Sequence, residues 1–148
     1  MFEEQFGAGR EELGRRQFYL VDTGGPAIGT GTAWFKDDFG REIRPLTALS
    51  PSEAERESNW KRYGRVHWLA IVPEYQGRGL GKALLSAVCG RLKELGHERA
   101  YLTMESVRVN AIGLYLGFGF EPLLRSEEER RVWEGVLRKV EAGRKHNR

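Results

Sequence analysis

Cysteine is nearly absent: Cys89 stands alone in 148 residues. One thiol excludes an internal disulfide and a cysteine-built metal cluster. Cys89 follows Leu85 and precedes Leu92 on one helical stretch, which reads as a buried apolar thiol rather than a nucleophile. Long apolar runs are missing too. The start, MFEEQFGAGREE, has no apolar core of the kind a secretory signal carries, and no segment is long enough to span a bilayer. The expectation is a soluble, intracellular, cytoplasmic protein with no membrane partner. An excess of one charge is also lacking. The net charge is +3 and basic residues gather only in the tail, Arg138–Arg148, which argues against nucleic acid as a partner. With no internal repeat and no linker, residues 1–148 read as a single domain able to bury a sizeable core.

Glycine, by contrast, is abundant: 19 residues, nearly twice the average share of about 7%. The decisive cluster lies within Val66–Leu85, VHWLAIVPEYQGRGLGKALL. A run of β-formers ends at Pro73, a short turn Pro73-Glu74-Tyr75 follows, and Gln76-Gly77-Arg78-Gly79-Leu80-Gly81-Lys82 leads into an apolar stripe at helical spacing. A strand, a glycine-rich turn and a helix start form an arrangement that holds phosphate. Amides of the turn and the first helical turn lack intrahelical partners and point outward together. Glycines let a diphosphate approach the backbone. Arg78 and Lys82 add positive charge. A Walker loop is excluded, because Gln76 stands where its first glycine belongs and Ala83 where its hydroxyl belongs. The dinucleotide fingerprint fails as well, since Gly77, Gly79 and Gly81 are spaced G-x-G-x-G.

Taken in order, residues 1–16 are polar, with a short helix around Glu11-Glu12-Leu13. Gln17–Asp22 and Ala27–Phe35 read as strands joined by the turn Thr23-Gly24-Gly25-Pro26, an antiparallel hairpin. In the second strand Ile28, Thr30, Thr32 and Trp34 share one face, and Gly29, Gly31, Ala33 and Phe35 the other. Residues 36–65 form an excursion, a surface insertion or a binding loop, with a helix at about 51–62 capped by Ser50 and carrying Trp60. A third strand, Arg65–Val72, precedes the loop. Leu80, Leu84, Val88, Leu92 and Leu95 mark a helix that stops at Gly96. Arg99–Glu105 alternates as a strand, and strand–helix–strand implies a parallel pair. A helix over Val107–Leu116 leads through Gly117-Phe118-Gly119-Phe120 into a last strand ending near Pro122. Ser126-Glu127-Glu128-Glu129 is a capping box opening a helix with Val132, Trp133, Val136, Leu137 and Val140 on one side, and the end, 142–148, reads as frayed.

Gln76, Gly79 and Gly81 fit Gln-x-x-Gly-x-Gly, and with Pro73 before them and the leucine-rich helix after them they resemble the acyl-coenzyme A loop of the Gcn5-related N-acetyltransferases. A second match follows: Ala111, Tyr115, Gly119 and Phe120 have the spacing of that family's later helix and its Gly-Phe exit. Together the two motifs cover residues 66–122, and the hairpin at 17–36 fits the strands that precede them. The implied fold is α/β (α+β): a mixed, mostly antiparallel twisted sheet with a central parallel pair, flanked by helices. Three departures stand out. Arg108 occupies the position where the family often has Asn, with Asn110 two residues later. The elements before the hairpin are shortened to 16 residues or replaced by the 36–65 excursion, and a helix stands where a final strand is usual. Gly113 inside a helix costs roughly 1 kcal/mol and points to a close approach by a ligand or strand.

The resemblance implies transfer of an acyl group, most often acetyl, from acetyl-CoA as cosubstrate to an amine of a small molecule or peptide, by direct attack in a ternary complex. It assigns the diphosphate to Gln76, Gly77, Arg78, Gly79, Leu80, Gly81 and Lys82. The pantetheine arm goes to the strand edge Leu69, Ala70, Ile71 and Val72, where the parallel strands splay. Asn110 and Tyr115 are further coenzyme contacts. The Ile71 N–H, in a strand bulge, is the oxyanion donor. Tyr115 is the general acid for the leaving thiolate, its other reading being a core aromatic. Base candidates are His67, Glu105 and Glu74, with a water chain as the alternative. His67 shares the face of Ile71 if the strand alternates undisturbed. A competing reading is a non-catalytic acyl-CoA-binding or regulatory module completed by a partner chain. An exposed apolar face near 17–35 would admit a second copy as a homodimer.

Overall fold

The computed structural model describes residues 10–35 and 63–146. The expected helix at 51–62, its Ser50 cap and nearly all of the 36–65 excursion lie outside the described residues. Contacts divide the chain into two compact units, residues 1–102 and 103–148.

In the first unit, α1 (Arg10–Arg16) runs into β1 (Gln17–Val21), followed by β2 (Ala27–Trp34), β3 (Tyr63–Ile71), a 3₁₀ turn (Pro73–Tyr75), α2 (Leu80–Glu94) and β4 (Arg99–Tyr101). The sheet order is β1-β2-β3-β4. The first two pairings are antiparallel and β3–β4 is parallel. The mixed α/β architecture follows the sequence reading. Among the described residues no helix is long and apolar enough to cross a membrane.

The strand expected over 99–105 stops at Tyr101. Its ladder pairs Tyr63 with Arg99 and Arg65 with Tyr101, and just beyond, β3 bulges away from a straight course. The alternation of Ala100, Leu102 and Met104 therefore has no continuing partner to pair with.

Helix α2 buries Leu84, Leu85, Val88 and Leu92, each worth about 1.5–3 kcal/mol relative to exposure. It lies on the sheet face of Gly31. A Cβ on Gly31 would stand 2.9 Å from both Leu69 Cδ1 and Val88 Cγ2, so a bare backbone at this position sets how close the helix comes. At its C-terminus the Gly96 N–H donates to Lys93 O and the His97 N–H to Leu92 O, both at 3.0 Å, a Schellman closure.

The buried Arg16 fastens α1 to this end. Its guanidinium donates to Glu12 at 3.0 Å and to the Ala33 carbonyl at 3.1 Å, and lies 3.1 Å from His97 Nε2. An arginine cannot accept, so that ring nitrogen is the acceptor.

The second unit holds α3 (Val109–Gly117) and α4 (Glu127–His146). Ile112, Val136 and Val140 are buried together, with Met104, Leu116 and Trp133 against them. Val132, expected on the apolar side, is exposed. Ser126 Oγ accepts the Glu129 N–H at 3.1 Å, while the Glu129 carboxylate takes the Arg125 N–H at 2.5 Å. The capping box therefore closes one residue upstream of its usual return contact. The tail expected to fray from 142 is helical through His146.

No strand forms at Phe120–Pro122. Instead the Gly119 N–H donates to Leu116 O and the Phe120 N–H to Tyr115 O, both at 3.1 Å, with Gly119 at φ 86°. Tyr115 and Phe120 rings meet edge to face, 5.8 Å between centroids. This is the hydrophobic contact that accompanies a Schellman stop. The neighbour of Gly113 is α4, not a strand: a Cβ there would touch Val140 Cγ1 at an ordinary 3.4 Å.

Candidate functional site

The site is built at the end of β3. Thr30 pairs with Ala70 and Thr32 with His67, so Trp68 and Leu69 together face Gly31. Two residues opposite one make a β-bulge. Trp68 adopts φ 52°, a true outlier for a bulky side chain.

Two expectations change as a result. The bulge lies at Trp68–Leu69, whereas Ile71 pairs regularly with Gly29. The extra residue also breaks the alternation: His67 shares a face with Thr32 and Ala70, and Ile71 lies on the opposite face with Gly29. The shared-face argument for His67 as base is thereby lost.

The backbone N–H of Ile71 is free of the β2 ladder. The Val72 N–H donates to Ile28 O at 2.9 Å. Antiparallel bonds alternate from residue to residue, so the Ile71 N–H is directed away from β2, toward the side where the β4 ladder has already ended. Its carbonyl accepts Gln76 Nε2 at 2.8 Å.

The glycine turn follows at once. The Tyr75 N–H donates to Val72 O at 3.0 Å and the Gln76 N–H to Pro73 O at 3.1 Å, closing the 3₁₀ turn. Gly77 and Gly79 then take φ 76° and 77°. Gly79 is the N-cap of α2, with no side-chain cap, and the Lys82 N–H donates back to Gly79 O at 3.1 Å. The amides of Gly77 to Gly81 fall in the turn and first helical turn, where an α-helix offers no partner. A Cβ at Gly77 or Gly79 would meet nothing within 4 Å, so the space over both is open. Residues 76–79 and Lys82 are exposed. Positive partial charge at a helix start, open backbone and two cations suit a diphosphate. Leu69, Ala70, Ile71 and Val72 lead straight into this stretch, which gathers the loop and strand-edge residues in one place.

The sequence profile described as Acetyltransferase (GNAT) family matches residues 2–120. The chain belongs to the GNAT acetyltransferase family. A spermine/spermidine N(1)-acetyltransferase of Bacillus subtilis (strain 168) is 45% identical over 80 residues, 51% of this chain and 49% of that protein. A mycothiol acetyltransferase of Saccharomonospora viridis is 40% identical over 75 residues, 51% of this chain and 24% of that protein. The chain thus spans half or less of the length of these relatives. Among solved structures, the aminoglycoside N-acetyltransferase AAC(6')-Iy in complex with CoA aligns with TM-score 0.56 at 19% identity, covering 84% of this chain and 83% of the other. At that identity the likeness is one of fold.

The second GNAT motif lies in the second unit. Asn110 is exposed in the first turn of α3, and Tyr115 is half-buried near its end. Arg108, where the family often has Asn, is the N-cap of α3 and makes no side-chain cap. Its guanidinium lies 3.7 Å from Glu105, so that base candidate is paired within its own loop. Glu74 is exposed in the 3₁₀ turn.

Two residues beside the GNAT loop escaped the sequence reading. The Tyr75 hydroxyl donates to Asp22 Oδ2 at 2.6 Å. That bond, then the Thr23 N–H, hold the Asp22 carboxyl below its ordinary range. The same bond pushes the Tyr75 phenol up from its ordinary value. Separated by 53 positions, the pair leaves no local signal.

Cys89 is half-buried, with its thiol pushed up by burial, in keeping with the packing role. A hollow of about 460 Å³ lined by Cys89, Lys93, His97 and Arg99 lies at the C-terminal end of α2. The negative end of the helix dipole there disfavours phosphate.

Proposed function

We propose that this chain is an acyl-CoA-dependent N-acetyltransferase that moves an acetyl group from acetyl-CoA to a primary amine of a small molecule or peptide. The observation that carries the reading is the open turn at Gly77 and Gly79, running directly from the Ile71 strand end into the uncapped start of α2. The amides of Gly77 to Gly81, with Arg78 and Lys82, grip the diphosphate, while the Gln76 N–H is held by Pro73 O within the turn. The edge Leu69–Val72 pairs with the amide-rich pantetheine arm as an added strand would.

The cosubstrate supplies an activated thioester. The amine attacks its carbonyl directly in a ternary complex, a C–N bond forms and the C–S bond breaks. The Ile71 N–H stabilises the carbonyl oxygen as it takes negative charge. Tyr115 gives its proton to the leaving thiolate, a role supported by its place in the Ala111–Tyr115 spacing. The ammonium loses one proton to solvent before attack, and the second proton, shed by nitrogen as the amide forms, restores the Tyr115 phenol through solvent; with His67 on the face away from Ile71, no single side chain is assigned as base.

Polyamines are the first acceptors to assay, given the name of the 45% identical relative; amino sugars and peptides follow. The test is a screen of amines with thiol release as readout, preceded by a CoA titration. Turnover with an amine supports the reading. No retention of acetyl-CoA at millimolar concentration overturns it. The Arg108 departure favours a second reading, a non-catalytic acyl-CoA-binding module. That reading gains if Tyr115→Phe binds CoA and changes turnover with no amine.

A further inference from the structure

We propose that Asp22 and Tyr75 form a latch that positions the Arg78 guanidinium for the phosphates of the acyl donor, so that the β1–β2 turn tunes donor affinity from outside the phosphate-binding stretch. The inference rests on the donor-binding role proposed above. Arg78 stands next to Gly79, the N-cap of α2. Its guanidinium lies over the Tyr75 ring, 4.8 Å from the centroid, and its Nη2 donates to Glu74 O at 3.1 Å. A guanidinium has five N–H donors in a rigid plane, and this seat holds the plane against the 3₁₀ turn.

The ring is itself fixed from its far end. Its hydroxyl donates to Asp22 at 2.6 Å, the short distance of a charge-assisted O–H···O⁻ bond. Asp22 is held in turn, because its Oδ1 accepts the Thr23 N–H at 2.8 Å and its carbonyl accepts the Gly25 N–H at 2.9 Å. The chain of contacts therefore runs from the hairpin turn through a phenol to a cation beside the open glycines. A phenol that shares its proton with a carboxylate has a more electron-rich ring, which strengthens its hold on the guanidinium.

Asp22 and Arg78 are exposed and Tyr75 is half-exposed. Exposed contacts of this kind contribute little to folding. Their value lies in restricting an arginine that would otherwise sample many rotamers.

The test is calorimetric titration of CoA into the full chain and into Tyr75→Phe, Asp22→Asn, Arg78→Ala and Arg78→Ala/Tyr75→Phe, at two salt concentrations. Tyr75→Phe keeps the ring and removes only the hydroxyl. The expected result is a loss of CoA affinity of about three- to tenfold in Tyr75→Phe and Asp22→Asn, with unchanged melting temperature. No further loss appears when Tyr75→Phe is added to Arg78→Ala. The salt dependence of affinity becomes shallower in the latch variants, a change that a merely structural role would not produce. Repeating the titration with 3′-dephospho-CoA assigns Arg78 to the 3′-phosphate if the losses vanish and to the diphosphate if they persist; both support the latch.

Latch variants that bind CoA as the wild type does overturn it, as do losses that add fully to that of Arg78→Ala. A wild-type chain that fails to bind CoA at all overturns the donor-binding reading itself, and the latch with it.

Discussion

Replacing Gly79 by alanine tests the loop with a single methyl group. Gly79 holds φ 77°, and a Cβ there meets nothing within 4 Å. The cost is therefore conformational rather than steric, about 1–2 kcal/mol for an L-residue in the left-handed region. It can surface in either of two measurements. If the loop keeps its shape, the free protein loses that stability, and the melting temperature falls by about 3–8 °C for a chain of this size. If the loop relaxes to negative φ, the melting temperature holds, but the binding-competent shape becomes a minority and CoA affinity drops about five- to thirtyfold. Gly90 is the internal control. It lies mid-way along the same helix, exposed, with nothing within 4 Å of a Cβ. Gly90→Ala gains up to about 1 kcal/mol of helix propensity, leaving CoA affinity unchanged. Calorimetric melting and CoA titration of both variants decide the matter. A Gly79→Ala protein matching the wild type in both would refute the reasoning.

Three further outcomes are expected. Gly64→Ala drives a methyl into Leu92 Cδ2 and to 3.1 Å from His97 Cγ; Leu92 is buried, so overpacking should cost about 1–3 kcal/mol, and an unchanged denaturant midpoint would contradict the packing described. Arg108→Asn supplies α3 with the side-chain cap it lacks and should add about 1 kcal/mol, seen as a higher melting temperature; a lower one would show that the position is not a working cap. The Asp22–Tyr75 bond requires an ionised carboxyl and a protonated phenol. Asp22 is depressed, so its contribution is present above its unfolded pKa and fades as pH falls through the lower folded value. Tyr75 is raised, so its contribution is present below 10 and fades as pH climbs through the higher folded value. The ratio of CoA affinities between wild type and Tyr75→Phe should thus stay flat from about pH 5 to pH 9, and a ratio that drifts within that window would contradict the assignment.

The sequence made the local features legible. The glycine turn, its proline and the leucine stripe of α2 are carried by neighbouring residues, and all appear where the pattern put them. The hairpin announced itself through Thr23-Gly24-Gly25-Pro26. Features that depend on pairing did not. Nothing in tryptophan predicts a left-handed φ; Trp68 takes one because two residues of β3 must share Gly31 as partner. Strand β4 ends at Tyr101 and not at Glu105, since its alternation says nothing about where the neighbouring strand bends away. Gly119-Phe120 spells a strand entry and a helix stop alike, and only the hydrogen bonds to Leu116 and Tyr115 distinguish the two. The Asp22–Tyr75 contact joins residues too distant in the chain for any local rule.

The bond from Gln76 to the Ile71 carbonyl has a mechanical consequence. It ties the rim of the strand to the mouth of the loop, which opposes independent movement of the two. On the proposed reading, the span between the phosphate-binding turn and the Ile71 amide would act as a ruler of fixed length. A donor whose arm is one unit too long or too short would seat its phosphates and miss the amide, and selection among donors would rest on reach as much as on charge.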